Sequence, residues 1–179
     1  MPKQTLDQLT AAGDKIAMLT CYDATFAKVC AAAGVDILLV GDSLGMVLHG
    51  AENTLQVSMQ DMIYHTRCVA AGAPESLIIT DMPYGSYEHS HTEALENAQK
   101  LMDAGAHIVK IEGGGEMVNT ARYLVKHGIA VCSHLGFTPQ SVQQLGGYKI
   151  QGKTDESAQK ILQDAMQMSA AGVCMVLLE

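Results

Sequence analysis

Five times in this chain of 179 residues, a largely apolar run ends on a titratable side chain. Leu38-Leu39-Val40 leads through Gly41 to Asp42, Leu77-Ile78-Ile79-Thr80 to Asp81, and Ile108-Val109-Lys110-Ile111 to Glu112. Val131-Cys132-Ser133 leads to His134, and Met175-Val176-Leu177-Leu178 to Glu179. Runs of this kind describe parallel strands covered on both faces, which lack the polar alternation of a half-exposed sheet. Helical patterns between them close at Gly34, Gly72, Gly105, Gly128 and Gly172. The repeated unit is therefore βα, with right-handed crossovers and a parallel sheet. Each titratable group falls at the carboxyl edge of its strand, where such proteins place their chemistry.

Two folds satisfy this pattern. A doubly wound open sheet suits the length, because a (β/α)₈ barrel usually takes roughly 250 residues. An open sheet, however, gathers its ligand groups at a switch point, whereas here almost every strand contributes one. A barrel, whose strand ends all face one mouth, accounts for that distribution directly.

The helices have readable starts and stops. Thr5 caps a short helix over residues 4–12, and the first strand covers residues 16–20. Asp23 caps a helix whose expected core-facing stripe is Phe26, Val29, Cys30 and Ala33. Ser58 with Asp61, and Ser90 with Glu93, mark two further helix starts. Thr154 opens the last helix, with Ala158, Ile161, Leu162, Ala165, Met166 and Ser169 as its stripe. Long loops are expected over residues 43–56 and after His134.

Composition removes several function classes. Eleven basic residues stand against nineteen acidic ones, a net charge of -8, with no Lys/Arg cluster. Nucleic acid and anionic membrane are thus poor partners. No apolar run reaches the length of a membrane span, and the first residues lack a signal-peptide core. The five cysteines show no CxxC spacing and read as small buried hydrophobes in a reducing, cytoplasmic compartment. Cys132, two residues from His134, is the one candidate nucleophile set against that core reading.

Period-two geometry orients the strand ends. Lys110 and Glu112 share one side of their strand, and Val109 and Ile111 the other; if the latter face the helices, Lys110 and Glu112 face the barrel axis. Asp42 shares its side with Val40, Asp81 with Ile79, and Glu179 with Leu177. Three carboxylates from separate strands, with no His or Cys cluster, favour a hard cation such as Mg²⁺. Taken singly, Asp42 in Gly-Asp-Ser reads as readily as a helix cap. The remaining histidines have no metal-ligand spacing. Gly113-Gly114-Gly115 resembles a phosphate cradle only loosely, and Tyr84 and Tyr87 either line a pocket or pack a loop.

Longer blocks carry a family resemblance. Val40-Gly41-Asp42-Ser43-Leu44-Gly45-Met46, Asp81-Met82-Pro83-Tyr84 and Val109-Lys110-Ile111-Glu112-Gly113-Gly114 are followed by His134-Leu135-Gly136-Phe137-Thr138-Pro139-Gln140-Ser141 and Gly146-Gly147-Tyr148-Lys149-Ile150-Gln151-Gly152. In order and spacing they resemble the ketopantoate hydroxymethyltransferases. The resemblance implies a (β/α)₈ TIM barrel of the phosphoenolpyruvate/pyruvate-binding type, with residues 1–179 forming a single barrel domain. It also implies Mg²⁺, with 5,10-methylenetetrahydrofolate as one-carbon donor to 3-methyl-2-oxobutanoate, and a large homo-oligomer, commonly a decamer. By the same resemblance Asp42 and Asp81 bind the metal, and Glu112 completes its site directly or through water. Ser43 and Lys110, with Asp42, Asp81 and a pocket histidine, His134, hold the 2-oxo acid. Glu179 is the general base that generates an enolate stabilised by Mg²⁺.

Two other readings stay open beside it: a Mg²⁺-dependent 2-oxo acid enzyme of the same barrel type that uses no folate, and a catalytically silent fragment or subunit. About six of the family's eight strands are counted, so the C-terminal βα units are expected to lie outside this sequence. The 179-residue polypeptide alone is then expected to be inactive and poorly folded, with unpaired strand edges. Asp42 and Asp81 are expected to be exposed at their strand ends, so that replacing either leaves the fold intact.

Overall fold

The computed structural model describes residues 2–179. Six strands form one parallel sheet in sequential order: β1 (Met18–Thr20), β2 (Ile37–Val40), β3 (Leu77–Asp81), β4 (Ile108–Glu112), β5 (Val131–Leu135) and β6 (Met175–Leu178). Sequential order has no switch point, so the doubly wound alternative is excluded. The sheet is an open, curled half-barrel, a partial (β/α)₈ architecture.

Helices α1 (Leu6–Ala11), α2 (Ala24–Ala32), α3 (Leu44–Val47), α4 (Met59–Gly72), α5 (His91–Asp103), α6 (Met117–Lys126) and α7 (Asp155–Ala170) complete the chain. Capping follows the expected chemistry. The Ser58 and Thr154 side chains each accept from the backbone three residues on within a full capping box, whereas Ser90 accepts from Glu93 without the reciprocal bond. Helix α3 and a 3₁₀ turn at Pro139–Ser141 lie inside stretches read from sequence as loops.

The two faces of the sheet build two cores. Leu38, Val40, Ile78, Val109, Ile111 and Val131 pack outward against Ala27, Met62, Val69, Ala98, Leu101 and Leu124 of the helices. Ile37, Ile79, Ile108 and Cys132 pack on the concave side, with Leu9 of α1 beside them. Val109 and Ile111 thus face the helices, which sets Lys110 and Glu112 on the concave side as the alternation requires.

Two expected helical stripes are corrected. Phe26 and Val29 of α2 are 64% and 59% exposed; the helix is buried through Ala27 and rests on α4 instead. A Cβ at Gly72 would meet the Ala24 carbonyl oxygen at 2.2 Å, so α2 approaches α4 through backbone, and small residues rather than bulky ones define its inner face. In α7 only Met168 is buried, while Leu162 and Met166 stand 53% and 66% exposed. With Phe137, Ile161, Val176 and Leu178, Leu162 lines an apolar groove of about 850 Å³. No helix among the described residues is long and apolar enough to cross a membrane.

Candidate active site

Pairing in register brings the strand ends together. Asp81 is opposite Lys110 across β3 and β4, and Glu112 is opposite His134 across β4 and β5. Lys110 Nζ lies 3.1 Å from Asp81 Oδ1, 3.6 Å from Glu112 Oε1 and 3.3 Å from His134 Nδ1. His134 Nδ1 is also 3.3 Å from Glu112 Oε1, and its Nε2 is 3.3 Å from Glu179 Oε2. Asp42 joins through its backbone, whose N–H donates to Asp81 Oδ2 at 3.0 Å. Strict alternation would turn Asp42 with Val40 toward the helices. The strand ends at Val40, however, and the turn into α3 swings Asp42 to the mouth. Ser43 is half-buried, its Oγ 2.9 Å from the Tyr22 hydroxyl.

Asp42 and Asp81 are not exposed as expected. Each is 3% exposed, with Lys110 at 4%, Glu112 at 5% and His134 at 3%. Burial, reinforced by Asp81 and Glu112, pushes the Asp42 carboxyl up to about 7. Burial also raises Asp81, against the pull of Lys110. Desolvation works against the Lys110 ammonium too, but Asp81, Glu112 and Asp42 outweigh it and hold its pKa above the usual lysine value. Glu112 is likewise penalised by burial, yet His134 and Lys110 bring it below the usual glutamate value. Three carboxylates thus crowd around one lysine. Asp81 Oδ1 and Glu112 Oε1, though beside that charge, make no hydrogen bond of good geometry. The donor set is hard, acidic and short of positive charge, which suits a divalent cation. No group of three or more His, Cys, Asp or Glu side chains among the described residues forms a ready-made cage. Mg²⁺ needs none, since one or two carboxylates, water and substrate oxygens commonly complete its shell.

Glu179 stands at the rim with its side chain 56% exposed. Its backbone is held at both ends: its N–H donates to the Leu135 carbonyl at 3.1 Å and its carbonyl accepts from Phe137 N–H at 2.7 Å. Gly136, at φ 87, permits this closeness, because a Cβ there would sit 2.2 Å from the Glu179 carbonyl oxygen.

Other expectations resolve plainly. Cys132 is fully buried and its thiol is pushed up to about 12, chiefly by desolvation, so the core reading holds for it and for Cys21, whereas Cys30 and Cys68 are half-buried and Cys174 is exposed. The Gly113–115 turn faces an acid: Gly114 lies against the Asp164 side chain, and Gly115 N–H donates to Asp164 Oδ1 at 3.3 Å. A carboxylate there would repel a phosphate. Tyr84 is 47% exposed, whereas Tyr87 is buried beside Glu112. Sequence reasoning missed Gln140, 5% exposed, whose Nε2 donates to Asp42 Oδ2 at 2.8 Å and whose N–H donates to Glu112 Oε2 at 2.9 Å. It sits in Thr138-Pro139-Gln140-Ser141, but a buried amide has no spacing signature.

Known proteins resemble this chain in sequence and in fold. The family model described as ketopantoate hydroxymethyltransferase matches residues 1–179. A 3-methyl-2-oxobutanoate hydroxymethyltransferase of Methylobacillus flagellatus is 55% identical over 175 residues, 98% of this chain and 67% of that protein. One from Nitrosospira multiformis is 57% identical over 167 residues, 93% of this chain and 64% of its own. The chain thus spans about two thirds of the length of the curated relatives it matches. Among solved structures, a phosphonopyruvate hydrolase in complex with oxalate and Mg²⁺ superposes with a TM-score of 0.77 at 13% identity, covering 100% of this chain and 63% of that one. A 2,3-dimethylmalate lyase, of the PEP mutase/isocitrate lyase superfamily, gives 0.68 at 17% identity, covering 97% and 60%. At these identities the structural likeness is one of fold.

Proposed function

Because the chain belongs to the ketopantoate hydroxymethyltransferase family, we propose that its strand ends form the 2-oxo acid site of a hydroxymethyl transfer. The reaction joins 3-methyl-2-oxobutanoate to the one-carbon unit of 5,10-methylenetetrahydrofolate with water, releasing ketopantoate and tetrahydrofolate. The observation that carries this reading is the convergence of Asp42, Asp81, Lys110, Glu112 and His134, all buried at one mouth.

Asp42 and Asp81 are the residues to hold Mg²⁺, with Glu112 beside them. When bound, the ion supplies Lewis acidity toward the carboxylate and keto oxygens of the substrate. Lys110 stays protonated among its acidic neighbours, so it serves as a fixed positive charge rather than an amine nucleophile. That charge favours negative charge developing on the keto oxygen. Ser43, at the start of α3, offers a hydroxyl to the same substrate. Glu179 removes the C3 proton, and His134, within 3.3 Å of both Glu179 and Glu112, orients it and links it to the buried acids. Carbon–carbon bond formation follows when C3 attacks the one-carbon unit. The five unpaired cysteines fit the reducing, cytoplasmic setting of this reading.

Two measurements on the purified full-length protein test it. Proton exchange at C3, followed by NMR in deuterated buffer, should require Mg²⁺ but not folate. Ketopantoate formation should require both. Equal product formation with and without methylenetetrahydrofolate overturns the reading.

A further inference from the structure

Gln140 ties four strand ends together through its side chain and its backbone N–H. It follows β5, in the 3₁₀ turn Pro139–Ser141. Its Nε2 donates to Asp42 Oδ2, beyond β2, at 2.8 Å, and to the Met82 carbonyl, beyond β3, at 2.9 Å. Its backbone N–H donates to Glu112 Oε2, at the end of β4, at 2.9 Å. Its Oε1 accepts from the Tyr87 hydroxyl at 2.5 Å, and that hydroxyl oxygen accepts the Glu112 N–H at 3.1 Å.

The directions of these bonds interlock. Both Nε2 hydrogens go to acceptors, so the amide cannot be reversed without setting its oxygen against the Asp42 carboxylate and the Met82 carbonyl. Tyr87 enforces the same orientation from the other side. Its oxygen receives the Glu112 N–H, which leaves its own hydrogen for Gln140 Oε1. One oxygen of Asp42 and one of Glu112 are thereby held, and the second Glu112 oxygen, Oε1, stands 3.3 Å from His134 Nδ1 and 3.6 Å from Lys110 Nζ.

We propose that Gln140, aimed by Tyr87, is a positioning residue that presets the Asp42 and Glu112 carboxylates for a divalent cation. This rests on the metal reading given above and deepens it. Partners that orient ligating carboxylates commonly change metal affinity by about 10–100-fold when replaced. A residue that merely fills space would lower the thermal midpoint and leave the affinity of the folded protein alone.

The test uses Mn²⁺ as the probe, with its affinity for the purified protein read by electron paramagnetic resonance beside thermal unfolding. Asp42→Asn serves as the control. Gln140→Met should weaken Mn²⁺ binding by about 10–100-fold. Tyr87→Phe, which keeps the ring and removes only the hydroxyl, should weaken it in the same direction and decides the matter if the Gln140 variant fails to fold. Binding that is lost in Asp42→Asn but unchanged in Tyr87→Phe and folded Gln140→Met overturns the positioning role while the metal reading stands. Absence of binding to the unsubstituted protein, or undiminished binding in Asp42→Asn, removes the metal reading and this inference together.

Discussion

Lys110 Nζ lies 3.1 Å from Asp81 Oδ1, with the two side chains 5% and 4% exposed. Breaking such a pair costs far more than the pair itself contributes, because the remaining charge is stranded away from water. Replacing Lys110 with Met should therefore destabilise the protein by about 3–5 kcal/mol near neutral pH. The loss should shrink toward pH 5, where the abandoned carboxylates can take up protons. Urea unfolding of the purified variant at both pH values checks this; an unchanged midpoint at neutral pH overturns it.

Asp42 should behave in the opposite sense. Its carboxyl is raised from an ordinary value near 3.8 to about 7, so the folded chain holds a proton there that the unfolded chain has released. Stability from this group is present below about pH 4 and is lost as pH rises to about 7. Asp42→Asn keeps an oxygen for Gln140 Nε2 and removes the charge. We expect it to be as stable as the unsubstituted protein near pH 4 and more stable at pH 8, while divalent-cation binding is lost. Binding residues often carry such a stability cost. Equal midpoints of the two proteins at pH 8 refute the raised Asp42 carboxyl.

The strand ends were legible because each couples a continuous apolar run to an abrupt polar stop, and register in a parallel sheet converts that repetition into proximity. Lys110 and Glu112 were placed correctly by alternation alone, since they lie within a strand. Asp42 lies beyond one, so alternation misplaced it, and its burial was hidden because a strand end need not be open. Phe26 and Val29 misled for a different reason: apolar spacing locates a stripe, but close backbone approach through Ala24 and Gly72 decided which face of α2 turned inward. Gln140 and Tyr87 were invisible as a pair because their link spans 53 residues and only the folded chain closes it.

The cysteines should separate sharply by reactivity. Cys132 is fully buried with its thiol pushed up to about 12, while Cys174 on the approach to β6 is exposed. Thiolate and access are both needed for alkylation. Iodoacetamide at pH 8 should label Cys174 well before Cys132 in the folded protein, with the difference abolished in denaturant, as read by peptide mass mapping. Early labelling of Cys132 would return it to the list of nucleophile candidates.

Glu179 yields the sharpest functional prediction because its placement separates binding from chemistry. Its backbone is clamped between Leu135 and Phe137, so its position does not depend on its own carboxylate. That carboxylate lies 3.3 Å from His134 Nε2 with its side chain 56% exposed, whereas Asp42 and Asp81 are buried. Glu179→Gln should therefore retain Mg²⁺-dependent binding of 3-methyl-2-oxobutanoate by calorimetry. C3 exchange should fall by about 10²–10⁴-fold, the usual contribution of a general base. Loss of binding together with exchange would make Glu179 a substrate-holding residue instead, and normal exchange would remove it from the mechanism. His134→Gln distinguishes the orienting role. A side chain that only steers Glu179 should cost less exchange than Glu179→Gln, and combining the two substitutions should add little beyond the loss from Glu179→Gln alone.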